Sequence, residues 1–465
     1  MTTLRFHGSA AVLLLPLALF VAVTARLFIS EAAFDLTGLA AAGVLTLFSG
    51  SLLAKSPSEY WKAAVRGASS ELTGTVVLIL IASGIFSAMM KASGVADGLV
   101  FLGGMLHLTG HAFTAFVLLA SSLMAAATGS SIGTLLAAMP IFFPAGVALG
   151  ADPAMLAGAV LSGAIFGDNL APVSDVTVIS SVTQRFRDGT PADIAGVVRT
   201  RLPYAMTALA VSMPVYAFMG ASRPVSEAAL SGDASALLML VPVAVLIAVA
   251  VRTRDVLMAI SAGAVTGTAT GLLIGRLSFA TIFAADDGRL SGFLISGISN
   301  VSPIILLCVT LFAFTGIVRE AGVPDMMAKA LEAGSAGRPS ALRTELFLSA
   351  AFAAVTSASV ALVGSLTDDI GRASNVHPYR RSHILSGLAN SLPVLMPFSA
   401  FVLITMAAVS GLEGAAAVTP FTLMTAAFYP IALFLVFGFM VLTGTGRMME
   451  TPEPEAAEAK TATAL

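Results

Sequence analysis

The feature that most narrows what this chain can become is the recurrence of apolar runs long enough to cross a bilayer. They fall at residues 9–28, 35–54, 72–90, 202–220, 234–251, 255–275, 300–318 and 419–443. A helix needs about 20 apolar residues to span the hydrocarbon core. Only helices and closed barrels satisfy their own backbone there. Composition agrees: 57% of residues are hydrophobic and 11% charged, against about 25% charged in soluble domains. Mean hydropathy is +0.94. The net charge of −2 implies no nucleic-acid partner. The single cysteine, Cys308, excludes an internal disulfide or a cysteine-based metal cluster, and the histidines show no metal-ligand spacing. Arg5 and the run after it, ending near Val23-Thr24-Ala25, also fit a signal peptide. An internal repeat needs that segment as a helix instead.

Other stretches are interrupted. In Leu161–Gln184 an apolar helix is broken by Gly167, Asp168, Asn169, Pro172, Ser174 and Asp175. Pro172 cannot donate to the carbonyl of Asp168, and Gly167 and Asn169 also favour a break. The helix is expected to unwind there and resume near Asp175. Unwound backbone at membrane depth survives where protein or a cavity covers it, and carboxylates there mark an ion or proton path. Residues 112–149 read as a re-entrant hairpin around Thr128-Gly129-Ser130-Ser131. Residues 341–371 read as a second one, with the tip Thr356-Ser357-Ala358-Ser359. A second broken helix runs through 383–411, carrying Asn390, Ser391, Pro393, Pro397 and Ser399. Residues 55–70 read as an interfacial helix anchored by Tyr60 and Trp61, and 277–298 as a polar interfacial segment.

The halves repeat. Lys91–Asp97 aligns with Arg319–Asp325, and the same offset of 228 carries Thr128-Gly-Ser-Ser onto Thr356-Ser-Ala-Ser. Leu161-Ser-Gly matches Leu385-Ser-Gly, and Pro172-Val-Ser matches Pro397-Phe-Ser. The fold class is therefore an all-α polytopic membrane protein built as an inverted repeat. Each five-span half, 1–220 and 221–446, holds one re-entrant hairpin and one broken helix, and a disordered tail follows at 447–465. An odd number of spans per half inverts the second half. With both termini cytoplasmic, only Arg26, Lys91, Arg223, Arg276 and Arg289 of the 24 Lys and Arg fall outside, a positive-inside bias. Arg185, Arg187, Arg199 and Arg201 are placed in a cytoplasmic loop, and no Lys or Arg deep in a span. His377, Arg380, Arg381 and His383 are expected at the interface, with Asp368 and Asp369 at the cytoplasmic mouth.

The candidate site gathers the polar residues of the broken helices and hairpin tips. It comprises Asp168, Asn169, Ser174, Asp175 and Thr177; Thr128, Ser130 and Ser131; Thr356, Ser357 and Ser359; and Asn390, Ser391 and Ser399. Asp168 and Asp175 are the Na⁺ candidates, because a buried carboxylate can take up either a proton or a cation. The alternative for Asp175 is a cap on the resumed helix. An intramembrane aspartyl protease would need a second acid facing the first from another helix, and none is evident. A passive channel fits the repeat and the broken helices less well than a carrier.

Gly167-Asp-Asn-Leu-Ala-Pro-Val-Ser-Asp-Val-Thr177 resembles the signature of the NhaC-type Na⁺/H⁺ antiporter family, written GD-x-x-[SA]-P-x-S-D-x-T. The resemblance is densest over residues 110–185, and the two-hairpin plan is similar to the wider ion transporter superfamily. It implies Na⁺/H⁺ exchange in the cell (inner) membrane, with Asp168 and Asp175 as the matching acids. It implies no cofactor beyond the transported ions and no enzyme activity. The alternative is a Na⁺- or H⁺-coupled carrier of a small organic solute, such as an amino acid or carboxylate. The expected partners are lipid, the transported solute and a possible second copy in a homodimer.

Overall fold

The computed structural model describes residues 4–8, 10–27, 36–221, 233–253, 255–286, 289–322, 368, 371–372, 374–397 and 399–450. The second hairpin, with Thr356, Ser357 and Ser359, lies outside the described residues, as does Asp369. The helices of the first half are α1 (Leu14–Ala25), α2 (Leu36–Leu53), α3 (Pro57–Ala68), α4 (Glu71–Ser93), α5 (Val95–Met105), α6 (Gly110–Thr128), α7 (Ser131–Ala148), α8 (Pro153–Leu170), α9 (Asp175–Val182) and α10 (Ile194–Met219). Then come α11 (Leu240–Thr253), α12 (Val256–Leu273), α13 (Phe279–Ile282), a hairpin of β1 (Ala284–Asp286) and β2 (Arg289–Ser291), and α14 (Phe293–Glu320). The last helices are α15 (Pro378–Ser391), α16 (Ala400–Val409), α17 (Pro420–Ala426) and α18 (Phe428–Thr443). Among the described residues, 8 helices are long and apolar enough to cross a membrane, or up to 10 if each of two bent pairs is one span.

Close approach at small residues holds the bundle, as expected where lipid removes the hydrophobic drive between helices. Gly84 of α4 meets Gly297 of α14, and Gly67 of α3 meets Gly316 of α14, each against the other's backbone. On α8, Gly163 and Gly167 lie against the α6 backbone at Leu118 and Ser122, and Gly158 lies against Ala426 of α17.

Several expectations change. Tyr60 is no interfacial anchor: it is fully buried, and its hydroxyl donates to the Leu47 carbonyl (2.9 Å), pinning α3 to α2. The end of the expected polar segment 277–298 is already α14, which starts at Phe293. The first run is α-helical only over Leu14–Ala25, after a 3₁₀ turn at Ala10–Leu13. The tail is held as far as Glu450: Met449 pairs with Val376, and Glu450 accepts from the Arg187 amide (2.7 Å).

Charged ends collect at two levels. The Leu4 amide bonds the Glu320 carbonyl, the Lys55 amide bonds the Arg5 carbonyl, and Arg66 pairs with Glu320. At the other ends of α4 and α14, Lys91 reaches the Gly411 carbonyl, and Arg276 pairs with Asp97 and Asp233.

Candidate functional site

The site begins at the α8–α9 break. The α8 helix ends at Leu170, α9 starts at Asp175, and Ala171–Ser174 is unwound. Pro172 cannot donate to Asp168, and the N–H of Ala171 takes that carbonyl instead (3.1 Å), tightening the last turn. Gly167 and Asn169 are not part of the unwound stretch. Both are helical, and Gly167 is required by packing: a Cβ there would collide with the Ser122 carbonyl and Ala126 amide of α6.

That close packing brings the first hairpin tip to the break. Ser131, the first residue of α7, donates to Asp168 Oδ2 at 2.6 Å, and both groups are buried. Ser130 caps α7 by accepting from the Gly133 amide (3.1 Å), and Thr128 lies 3.3 Å from the Thr134 hydroxyl. The tip stops at the level of Asp168, and the chain runs on through α9.

From the other side comes α15. Asn390 donates to Asn169 Oδ1 (3.2 Å), and Asn169 donates to the Tyr429 hydroxyl of α18 (3.0 Å). The two interrupted helices therefore meet at two amides beside the carboxylate. The second interruption spans a 3₁₀ turn at Leu392–Leu395 and a 54° bend before α16. Ser391 bonds back to the Gly387 carbonyl within α15, and Ser399 caps α16. These two do not reach Asp168 through any hydrogen bond among the described residues.

Asp168 and Asp175 are not equivalent. Asp168 is 5% exposed, whereas Asp175 stands exposed in the first turn of α9. Two carboxylates are buried among the described residues, Asp168 and Asp368. Asp368 is ion-paired with Arg381 (2.7 Å) and Arg372 (3.3 Å). Asp168 has no such basic partner in contact among the described residues. The Ser174 hydroxyl faces Asp168 but is in hydrogen-bonding geometry with no described group, and Asn390 Oδ1 is buried and unpartnered. Spare acceptor capacity is therefore left on Ser174, which faces Asp168, and on Asn390, which bonds the neighbouring Asn169; oxygen ligands are the chemistry a hard monovalent cation takes.

The sequence reading placed Arg201 in a loop, and the structure places it inside. α10 starts at Ile194, capped by Asp193, so Arg201 sits about 10 Å along the helix. It is fully buried and donates to Ser386 of α15 (2.5 Å) and Thr177 of α9 (2.8 Å). The signal was present in Pro191-Ala-Asp-Ile: an aspartate N-cap starts the helix two turns before the apolar run. Arg380, Arg381 and His383 are buried as well, not interfacial. Arg380 caps the end of α18 through the carbonyls of Met440 and Thr445 (2.7 and 2.8 Å), and His383 Nε2 faces Thr200 (2.8 Å). Arg381 also bonds the Gln184 side chain (3.0 Å). On the exposed side of this layer, His377 packs edge-on against Phe186, and burial lowers its pKa.

Residues 3–221 match the model of the Na⁺/H⁺ antiporter family. The chain is 31% identical over 176 residues to the malate-2H⁺/Na⁺-lactate antiporter of Bacillus subtilis, covering 38% of this chain and 36% of that one. It is 28% identical over 280 residues to the Na⁺/H⁺ antiporter NhaC of Alkalihalophilus pseudofirmus, covering 55% and 58%. The matches thus span less than two thirds of either relative. The solved MtrF of Neisseria gonorrhoeae, described as one of a class of antimetabolite efflux pumps, aligns over 92% of this chain and 95% of its own at 12% identity. The TM-score of that alignment is 0.36. The first half of the chain, residues 3–221, is thus similar to the Na⁺/H⁺ antiporter family, and the named relatives that it resembles are antiporters.

Proposed function

We propose that the protein exchanges a small monovalent cation, Na⁺ first, for protons, with both competing for the Asp168 carboxylate. One observation carries the reading. Asp168 is a buried carboxylate at a helix break that no basic side chain contacts among the described residues. A charge so placed is costly, and a proton or a cation relieves that cost equally well. Occupancy by either is therefore exclusive, which is the requirement for exchange. Asn390 and Ser174 supply the neutral oxygens of the site, and Ser131 and Ser130 fix the hairpin tip against it. Asp175, exposed at the start of α9, stands at the approach.

The reading extends to alternating access between two inverted halves, with both termini cytoplasmic in the cell membrane. The hairpin tip ending at the level of Asp168 supports a re-entrant element. The sorting of Arg5, Lys55 and Arg66 to one end of α4 and α14, and Lys91 and Arg276 to the other, supports the sidedness. The test is luminal pH in proteoliposomes carrying a preset acid interior. External Na⁺ should dissipate the gradient in the wild type and leave it intact in Asp168→Asn. A folded wild type silent to Na⁺, Li⁺ and K⁺ would refute the reading.

A further inference from the structure

We propose that Arg201 anchors a small monocarboxylate that binds together with the cation at Asp168. The inference rests on the cation-exchange reading and adds a second ligand to it. Three arginines are fully buried among the described residues, and two are fully employed. Arg381 pairs with Asp368 and bonds the carbonyls of Val376, Asp368 and Arg185. Arg380 caps the end of α18. Arg201 differs. Its partners are two neutral hydroxyls, Ser386 and Thr177, and its Nε is buried with no acceptor. No carboxylate contacts it among the described residues. A buried guanidinium carries a desolvation penalty of several kcal/mol, and neutral hydroxyls recover only part of it.

The remaining attraction comes from Tyr429 and from the charge on Asp168, with neither of which Arg201 makes an ion pair among the described residues. The charge balance depends on occupancy. While Asp168 is an anion, the centre is neutral overall. Once a cation or proton sits on Asp168, the Arg201 charge is uncompensated, and an anion restores neutrality. Cation and anion therefore favour each other. One uncompensated positive charge calls for one negative charge. The planar fork of a guanidinium, with Nε–H open, matches a carboxylate in preference to a spherical halide.

The two layers of polar groups sort accordingly. Acceptors lie toward Asp168, with Asn390 Oδ1. At Arg201 the open donor is Nε–H, while the hydroxyls of Ser386 and Thr177 accept from its two terminal nitrogens on either side. Arg201 also bridges α9 to α15, so an anion drawn to it would load both interrupted helices at once.

The experiment is thermal unfolding of the purified full-length protein in detergent, titrated with Na⁺ against choline at constant ionic strength. Millimolar acetate or L-lactate is compared with chloride. In the wild type the Na⁺ midpoint should fall at least about fivefold with carboxylate present. The carboxylate midpoint should fall by the same factor when Na⁺ replaces choline. In Arg201→Gln the factor should drop to one, whatever that variant's own Na⁺ midpoint. Arg201→Lys, which keeps the charge but loses the fork, should retain only part of it and decides the matter if the Gln variant does not fold. A wild type whose Na⁺ midpoint ignores carboxylate overturns this inference and leaves cation exchange standing. So does a variant that keeps the full factor. A wild type that responds to neither ion overturns both.

Discussion

Replacing Gly167 by alanine distinguishes packing from helix breaking. If Gly167 served to weaken α8, alanine would stabilise the helix by about 0.5–1 kcal/mol. The structure predicts the opposite sign. The new Cβ would fall inside van der Waals contact with the Ser122 carbonyl, the Ala126 amide and Ala125 Cβ, all on the face of α6. Helix backbone cannot rotate aside, so α6 must retreat by about 1 Å to recover ordinary separation. Overpacking of this kind costs about 1–3 kcal/mol, which outweighs the helix gain. The hairpin carries Ser131, so its 2.6 Å bond to Asp168 would stretch to about 3.6 Å, past hydrogen-bonding range. Thermal unfolding in detergent and Na⁺-driven proton flux in proteoliposomes are the two readouts. Gly167→Ala should lower the unfolding midpoint and the flux together. Gly74→Ala is the control: it lies in α4 with open space around the new methyl and should leave the midpoint unchanged or higher. A raised midpoint in Gly167→Ala would refute the packing argument.

Other expectations follow from single groups. The Tyr216 hydroxyl lies at the α17–α18 corner, 2.6 Å from the Ala426 carbonyl, 2.7 Å from Ser162 and 3.0 Å from the Phe428 amide. Tyr216→Phe leaves those buried groups short of a partner and should cost about 1–3 kcal/mol. An unchanged unfolding midpoint would contradict this. Asp193 caps α10, and the Tyr379 hydroxyl and the Gly196 amide hold its pKa below the ordinary 3.8. A depressed pKa in the folded state stabilises above the unfolded value and is lost as pH falls through the folded one. Tyr379→Phe should therefore move acid fraying of the first turn of α10 to higher pH, read by hydrogen exchange near Val197. An unmoved acid limb would count against the role given to that hydroxyl.

What was legible in the sequence is what local chemistry fixes. Pro172 cannot donate wherever the chain goes, so the unwound Ala171–Ser174 and the restart at Asp175 could be read directly. Asn390 was legible because a polar amide in an apolar run needs a partner, and it found Asn169. What was illegible depends on distant segments. The role of Gly167 is set by α6, some 45 residues away in sequence, and a glycine reads alike as breaker or spacer. Arg201 looked like the end of a basic loop because its hydroxyl partners lie on α9 and α15. Arg380 and Arg381 looked interfacial because the carbonyls and carboxylate they bind are remote. A charge in a sequence shows a cost, and only the fold shows what offsets it.

The central claim is that one carboxylate holds either a proton or a cation, and proton release tests it most directly. Purified protein in weakly buffered solution is mixed with NaCl, with choline chloride as the blank, and the pH is followed. The account predicts that the wild type releases protons as Na⁺ binds, and that Asp168→Asn releases none while Asp175→Asn still does. Equal release from the wild type and Asp168→Asn would contradict it.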